Sequence, residues 1–166
     1  MVANRWFFVT CRLHRRRRIL TPPEFATLAA LIGERRAEHA FLLAAGVFLP
    51  DHGHAIFYPR HPLTISRVME AIKDAATKRI NRSRGEAGVL WQPRFFDRAL
   101  RTVKEYNEKV QSIHLNPVKA GLVRRAQDWA WSSVHDYTGN VNDAPATPSG
   151  LAVNRVLLPA DEGTRI

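Results

Sequence analysis

The distribution of apolar residues along the chain predicts four β-strands. Short segments rich in aromatic and β-branched side chains, bounded by turn residues, favour strand. Pro50 and Asp51 separate two such segments, which predicts a tight antiparallel connection or a bent strand pair. Pro93 interrupts another segment and cannot donate a backbone hydrogen bond, so that strand is expected at a sheet edge. The predicted strands are residues 5–13, 40–49, 53–59 and 89–97.

Three other segments repeat apolar residues at the spacing of an amphipathic helix, at residues 21–38, 65–83 and 102–115. Thr21 and Glu24, with proline between them, predict a capping box at the start of the first helix. Pro117 disfavours helical geometry at Asn116, so the third helix is expected to end there. The order β-α-β-β-α-β with a further helix predicts an α+β fold, a ferredoxin-like antiparallel sheet with helices packed on it.

The chain has 166 residues, which suits one domain with a core and a tail. Trp129 and Trp131 are expected to pack a C-terminal segment back on the sheet. Beyond Gly139 the residues are mostly small, polar or proline, a composition that rarely supports a packed core. The sequence therefore predicts a domain at residues 1–139 and a flexible tail at 140–166.

The charge balance changes the picture of what the domain binds. Lysine and arginine total 25 against 15 acidic residues, a formal net charge of +10. Such an excess favours a polyanionic partner, most often nucleic acid and less often an anionic membrane surface. Cys11 is the only cysteine, and no apolar run approaches the ~18 residues of a membrane span. The N-terminus is apolar before it is basic, the reverse of a secretion signal, so a cytoplasmic protein is expected.

Several basic residues are candidates for contact with phosphates. The four consecutive arginines at 15–18 repel one another and require either solvent or a counter-anion, two readings of equal weight. Basic residues on the polar face of the second helix could follow a phosphate backbone. The segment 91–96, WQPRFF, suits unpaired bases, although core aromatic residues beside a surface arginine explain it equally well. The predicted DNA contacts are Arg15, Arg16, Arg17, Arg18, Arg79, Arg82, Arg94 and Lys119.

His52 and His54 stand two apart in the predicted third strand. Because successive strand side chains point to opposite faces, both imidazoles should lie on the same face, where they could form a two-point metal site. An isolated pair of this kind is more often an ordinary pair of strand histidines, since so short a motif occurs by chance. The pair therefore needs support from elsewhere in the chain.

Three motifs follow one another in the chain: HGH at 52–54, WQPRFFDRALR at 91–101 and SIHLNPVKAGLV at 112–123. Together they resemble the single-tyrosine HUH transposases of the IS200-like superfamily, in particular the REP-associated tyrosine transposases. The resemblance spans roughly residues 5–137. It implies a divalent metal, Mg²⁺ or Mn²⁺, held by the histidine pair and one polar residue of the third helix. It also implies that a helix tyrosine attacks single-stranded DNA, leaving a 5′-phosphotyrosine link and a free 3′-hydroxyl.

Transferred to this sequence, the resemblance assigns His52, His54 and Asn116 to the metal. Residue 112 takes the position of the nucleophile, but it is Ser112 where the family has tyrosine. Gly53 stands where the family has a bulky apolar residue. The implied partner is single-stranded or hairpin DNA, without a membrane, and the chain is expected to be a monomer or a homodimer.

The other tyrosines are poor replacements on sequence grounds. Tyr106 lies ~120° around the helix from Ser112, and Tyr58 lies ~13 Å along the strand from His54. Tyr137 stays open. The sequence thus favours a DNA transposase at the family level, with absent or impaired tyrosyl transfer in this chain. Three alternatives remain: a catalytically silent DNA-binding protein, a metal-dependent nuclease that uses water, and an RNA-binding α+β module.

Overall fold

The computed structural model describes residues 4–138, 151, 153–154 and 156–166. Its centre is a four-stranded antiparallel sheet in the order β2-β3-β1-β4, which confirms the predicted ferredoxin-like fold. The strands are β1 (Phe7–Arg12), β2 (Phe41–Phe48), β3 (His52–Pro59) and β4 (Phe96–Ala99). The helices are α1 (Pro22–Glu38), α2 (Ile65–Arg84), α3 (Val103–Lys119) and the short α4 (Val134–Thr138), with a 3₁₀ turn at Ala126–Asp128 between the last two. None of the described helices has the length and apolar character needed to cross a bilayer.

Helices cover both faces of the sheet because alternate strand residues point to opposite sides. Phe7 and Val9 of β1 belong to the core formed with α1 and α2. Trp6 and Phe8 belong to a second core formed with α3. The histidines of β3 and helix α3 therefore lie on the same side of the sheet.

The edge position of the fourth strand was predicted correctly, but its boundaries were not. The ladder contains only Phe96–Ala99 and pairs with β1 alone. Trp91, within the predicted strand, makes just an isolated bridge to Leu13. Pro93 lies between this bridge and the ladder. Because it cannot donate a backbone hydrogen bond to β1, the ladder begins further towards the C-terminus.

Helix α3 does not end at Asn116, as Pro117 had led us to expect, but continues to Lys119. Ile113 and Pro117 are buried, so packing against the sheet outweighs the local preference of the residue before proline. The amide of Ala120 donates to the carbonyl of Asn116 at 2.8 Å and closes the last turn. Asn116 and Ser112 consequently share one continuous helix.

The aromatic segment after α3 packs on strand β2, as predicted. The indole of Trp129 donates to the carbonyl of Phe48 at 2.8 Å, and the amide of Ser133 donates to the carbonyl of Gly46 at 2.9 Å. Ser132 forms a bridge with Val47. These contacts extend the sheet beyond β2.

The described residues after 150 differ from the predicted flexible tail, because they pack against the domain. Leu151 is buried in the core of α1 and α2. The amide of Asn154 donates to the carbonyl of Leu43 at 2.7 Å, and the amide of Val103 donates to Thr164 at 3.0 Å. The composition of the segment did not reveal the scattered apolar residues that anchor it. The other residues of the predicted tail, 140–150, 152 and 155, lie outside the described part of the chain. Further anchors are Val153, Val156, Leu158 and Ile166.

A buried ion pair joins α1 to α2. The guanidinium of Arg84 donates to the carboxylate of Glu24 at 2.8 Å and to the carbonyls of Arg18 and Ile19. Glu24 also accepts from the amide of Thr21 at 3.0 Å, the contact expected at the helix start. The hydrogen bond from Arg84 is the main reason that the pKa of Glu24 is lowered.

Replacing Glu24 with glutamine is expected to lower the free energy of unfolding at pH 7 by about 1.5 kcal/mol, because the charge-assisted bond is weakened. The folded-state pKa of Glu24 lies below its ordinary value of 4.5, so this stabilisation is present above that pH and is lost as the pH falls through the folded-state pKa. Urea denaturation of wild type and variant should therefore give a difference that shrinks from pH 7 to pH 3. Glu70→Gln weakens only an exposed pair with Arg67 and is the control that should change little.

Candidate active site

The two histidines lie at the start of β3, opposite the end of β1. His52 pairs with Arg12 and His54 pairs with Thr10 in the antiparallel ladder. Their rings are on the same face of the sheet, as strand alternation predicted, and their centroids are 4.9 Å apart. This face is the one that α3 covers.

His54 is held by one contact on each ring nitrogen. Its Nδ1 is 2.8 Å from the hydroxyl oxygen of Thr10, and its Nε2 is 3.1 Å from the amide nitrogen of Asn116. The Asn116 amide donates to Nε2, so the ring proton lies on Nδ1 and is donated to Thr10. Burial, followed by the nearby charges of His52, Arg12 and Lys109, lowers the pKa of His54 to about 4. The ring is therefore neutral at neutral pH, and its Nε2 lone pair, which accepts from Asn116 in this structure, could bind a metal ion once the Asn116 amide turns away.

His52 is oriented in the same manner by a carboxylate. Its Nδ1 is 2.7 Å from Oδ1 of Asp51, and that hydrogen bond is the main reason that the pKa of Asp51 is lowered. The Nε2 atom of His52 makes no hydrogen bond with any described residue. A hydrogen bond that fixes the second nitrogen of a histidine is typical of metal-binding histidines, because it sets the tautomer and the ring orientation.

A third donor for a metal ion comes from α3. Among the described residues no three His, Cys, Asp or Glu side chains are grouped as a metal site, so a histidine-and-carboxylate cluster does not supply it. Asn116 reaches His54 instead, and a 180° rotation of its amide would present Oδ1 where Nδ2 now stands. Two imidazole nitrogens and an amide oxygen form a donor set that suits a divalent ion, with open positions left for water or phosphate. The residues present therefore fit the metal that the resemblance implies.

Ser112 lies one turn before Asn116 on α3 and is partly exposed. Residues four apart share a helix face, so the serine side chain is on the side of the helix that faces the histidine pair. This is the arrangement expected for a nucleophile and a ligand on one helix, with a hydroxyl that is shorter and less acidic than a phenol.

The three tyrosines of the chain have other contacts. Tyr58 packs on Trp6 with ring centroids 4.9 Å apart. Tyr106 is buried in the core beneath α3, and this burial raises its pKa. Tyr137 donates its hydroxyl to the carbonyl of Ala44 at 2.6 Å. Each phenol is thus occupied in packing or hydrogen bonding away from the histidine pair.

Gly53 faces the opposite side of the sheet, towards α1 and α2. A Cβ atom there would lie 3.2 Å from the carbonyl oxygen of Val47, closer than most real contacts. A cavity of about 60 Å³, lined by residues that include Cys11 and Met69, adjoins this glycine. The small residue thus allows β2 to approach β3 closely and leaves space below the strand.

The predicted DNA-contacting residues divide into two groups. Arg17 and Arg18 share the single carboxylate of Glu86, and Arg79 bonds to Glu34, so these three arginines have ion-pair partners within the chain. The remaining residues are exposed and make no ion pair within the described parts of the chain: Arg15, Arg16, Arg82, Arg94 and Lys119. Arg82 lies on α2, across the sheet from the histidine pair, and Arg94 lies in the loop before β4.

The fold connects two of the exposed predicted contacts, Arg15 and Lys119, to the elements that carry the histidine pair and Asn116. Lys119 is one turn beyond Asn116 on α3. Arg15 lines a groove of about 230 Å³, to which Arg12 and Asp51 also contribute. Since Asp51 bonds to His52, the groove begins beside the histidine pair.

Sequence reasoning missed Thr10, Asp51 and Lys109. Thr10 could have been found as the uncharged polar residue that interrupts the apolar run of β1, and Asp51 as the carboxylate next to His52. Lys109 lies two turns before Asn116 on the same side of α3, with its ammonium 4.7 Å from the ring centroid of Phe8. The sequence does not indicate that α3 packs over Phe8, so the position of Lys109 above that ring could not be predicted.

Comparison with known proteins places this arrangement in context. A family model described as "Transposase IS200 like" matches residues 2–112. The REP-associated tyrosine transposase of Escherichia coli (strain K12) is 33% identical over 152 residues, covering 85% of this chain and 88% of the relative. A solved structure of a REP-associated tyrosine transposase bound to a REP hairpin is 28% identical, covers 95% of both chains and has a TM-score of 0.71. A structure of a Deinococcus radiodurans R1 protein, 16% identical with a TM-score of 0.52 over 70% of this chain and 92% of that one, shows the fold alone.

Proposed function

The chain belongs to the IS200-like transposase family, and we propose that it binds hairpin DNA with a single-stranded flank at the face of His52, His54 and Asn116. The proposal assigns a divalent ion, Mg²⁺ or Mn²⁺, to those three side chains. It further assigns the nucleophile position to Ser112, so that this chain binds its DNA without forming the phosphotyrosine link. The observation that carries it is the 3.1 Å contact between Asn116 and His54, which joins the nucleophile helix to the histidine strand.

The DNA partner is supported by charge and by similarity. The net charge of +10 favours a polyanion, and a solved relative of this fold is described as bound to a REP hairpin. Arg15 and Lys119, which make no ion pair among the described residues, follow β1 and end α3 respectively. Because α3 runs along β1 from Trp6 towards His54, both cations lie towards the end of the sheet that carries the histidine pair, where a bound strand can meet positive charge.

The site residues perform separate tasks in the proposal. Thr10 and Asp51 fix the rings of His54 and His52 so that both Nε2 atoms face the phosphate. A divalent ion bound there would act as a Lewis acid on a phosphate oxygen and would orient the scissile group. Asn116 completes the donor set from the helix that also carries residue 112.

The contacts of the three tyrosines support the part of the proposal that excludes a tyrosine nucleophile. The sequence contains three tyrosines, and each phenol is occupied away from the site. Ser112 would have to act as a nucleophile with a higher pKa than a phenol and without a neighbouring base. Neutral His54 is already engaged on both ring nitrogens. We therefore assign binding, and not covalent transfer, to the chain as it stands.

The test is a comparison of three DNA probes by fluorescence anisotropy in the presence of Mn²⁺. The probes are a hairpin with a single-stranded flank, the same hairpin without the flank, and a linear duplex of the stem sequence. The flanked hairpin is expected to bind most tightly. Equal affinity for the linear duplex would contradict the proposal, because it would reduce the interaction to charge alone.

Arg15→Ala with Arg16→Ala is expected to weaken binding of the flanked hairpin about tenfold at 0.1 M salt, because two phosphate contacts are lost. The slope of log affinity against log salt should become shallower by about 1.4 to 1.8. The control is Arg67→Ala with Arg125→Ala, which removes the same charge from two exposed arginines paired with carboxylates. If both double variants change the slope equally, general charge explains the binding and these two arginines are not specific contacts.

A further inference from the structure

Phe96 is a large apolar residue that the fold leaves 56% exposed on the edge strand β4. It pairs across the sheet with Thr10, and Thr10 pairs with His54 on the next strand. Adjacent strands are ~4.8 Å apart, so the backbone of Phe96 lies ~10 Å from that of His54. An exposed aromatic residue thus stands in the same row of the sheet as a proposed metal ligand.

A continuous series of rings connects the two positions. The ring of His54 stacks on Phe8 with centroids 5.5 Å apart and planes at 16°. Phe8 contacts Phe96 edge-on, with centroids 6.4 Å apart. Because these contacts can form only on one side of the sheet, the Phe96 ring lies on the face of the histidine pair. Its open surface can receive a planar group next to that pair.

A cation lies above the same rings. The ammonium of Lys109 is 4.7 Å from the ring centroid of Phe8, the ring that stacks on His54. Lys109 makes no ion pair with any residue that the structure describes, whereas the nearby Arg98 is paired with Glu105 at 2.9 Å. The surface around Phe96 therefore combines an exposed aromatic face with one unneutralised positive charge.

The chemistry of the surface around Phe96 indicates which class of ligand it fits. Other exposed apolar residues such as Ile19, Val89 and Leu157 are aliphatic and cannot stack with a base. An aromatic face beside a cation is how proteins hold unpaired nucleotides, since every base has a π-face and every nucleotide carries a phosphate. The net charge of the chain favours the same partner.

We propose that Phe96 stacks on the unpaired base next to the phosphate at His52 and His54, and that Lys109 contacts the backbone phosphate of that nucleotide. The inference rests on the proposed DNA-binding function and adds the residue that sets where the single-stranded flank lies. Stacking accepts any base, so Phe96 fixes the position of the strand and not the identity of the base.

The experiment uses the full chain and the hairpin with and without its single-stranded flank. Phe96→Ser is expected to weaken binding of the flanked hairpin about tenfold, the usual worth of one stacked base, without changing binding of the flankless hairpin. Phe96→Trp should retain wild-type affinity. Leu157→Ser, at a fully exposed aliphatic residue, is the matched control and should bind both probes as wild type does. Placing 2-aminopurine at successive flank positions should give quenching at one position in wild type and Phe96→Trp, and none in Phe96→Ser.

The outcomes separate this inference from the function on which it rests. If wild type fails to bind the flanked hairpin, the DNA-binding proposal fails, and the stacking assignment fails with it. If wild type binds and Phe96→Ser binds each probe as tightly as wild type does, the stacking assignment is wrong and the DNA-binding proposal stands. An equal loss on both probes also overturns the assignment, because it indicates that Phe96 supports the fold or the stem.

Discussion

Tyrosine at position 112 is expected to give the chain a covalent DNA adduct that wild type does not form. Residue 112 lies on the face of α3 that carries Asn116, and it is partly exposed, so a phenol placed there would be on the helix face that meets the histidine strand. The phenol oxygen would attack the phosphorus and form a phosphotyrosine bond as the bond from phosphorus to the 3′-oxygen breaks. That oxygen leaves as a 3′-hydroxyl, so the strand is cut while the phosphodiester energy is kept in the link.

The measurement is a denaturing gel with hairpin DNA labelled on the 5′-phosphate side of the cut, incubated with Mn²⁺. Ser112→Tyr should give a band of protein-linked label, and wild type should give none. Ser112→Phe supplies the same ring without the hydroxyl and is the matched control. A strong adduct in wild type would contradict the assignment of Ser112. An adduct in Ser112→Phe would show that another side chain is the nucleophile.

Strand alternation and the resemblance together indicated which residues the fold would bring near one another, whereas the local rule for proline misplaced the end of α3. Strand alternation was sufficient to place His52 and His54 on one face, because a period of two leaves no other choice in a regular strand. Asn116 was assigned only through the resemblance, since 62 residues separate it from His54 in the sequence. The rule for residues before proline predicted that α3 ends at Asn116, the proposed third ligand, although burial of Ile113 and Pro117 keeps the helix intact.

Charge was the least informative part of the sequence. A run of four arginines predicts an anion, but it does not show which members already have partners. The structure pairs Arg17 and Arg18 with Glu86, some seventy residues away, and leaves Arg15 and Arg16 free of ion pairs among the described residues. Such pairing depends on loop positions in the fold. Sequence patterns of charge therefore identify a basic surface, while the contacts of individual side chains identify the residues that can meet DNA.

His52→Ala with His54→Ala is expected to reduce Mn²⁺ affinity by more than about 100-fold, because two of the three proposed ligands are lost. Asp51→Asn and Thr10→Val keep both imidazoles but remove the groups that orient them, so each should weaken binding about tenfold. Titration calorimetry with MnCl₂ in the absence of DNA measures all four proteins. This readout depends on the ion alone and is independent of whether Ser112 can react.

His39→Ala is the control for this series, because it removes an exposed histidine just before Phe41, which pairs with Pro59 at the end of β3 opposite to the histidine pair. It should leave Mn²⁺ affinity unchanged. The most specific part of the prediction is the order of the losses in Mn²⁺ affinity. The double histidine variant should lose most, each variant of an orienting group should lose less, and the control should lose none. If the double histidine variant binds Mn²⁺ as wild type does, the ion is held elsewhere. The contact between Asn116 and His54 would then be an ordinary hydrogen bond between α3 and the sheet.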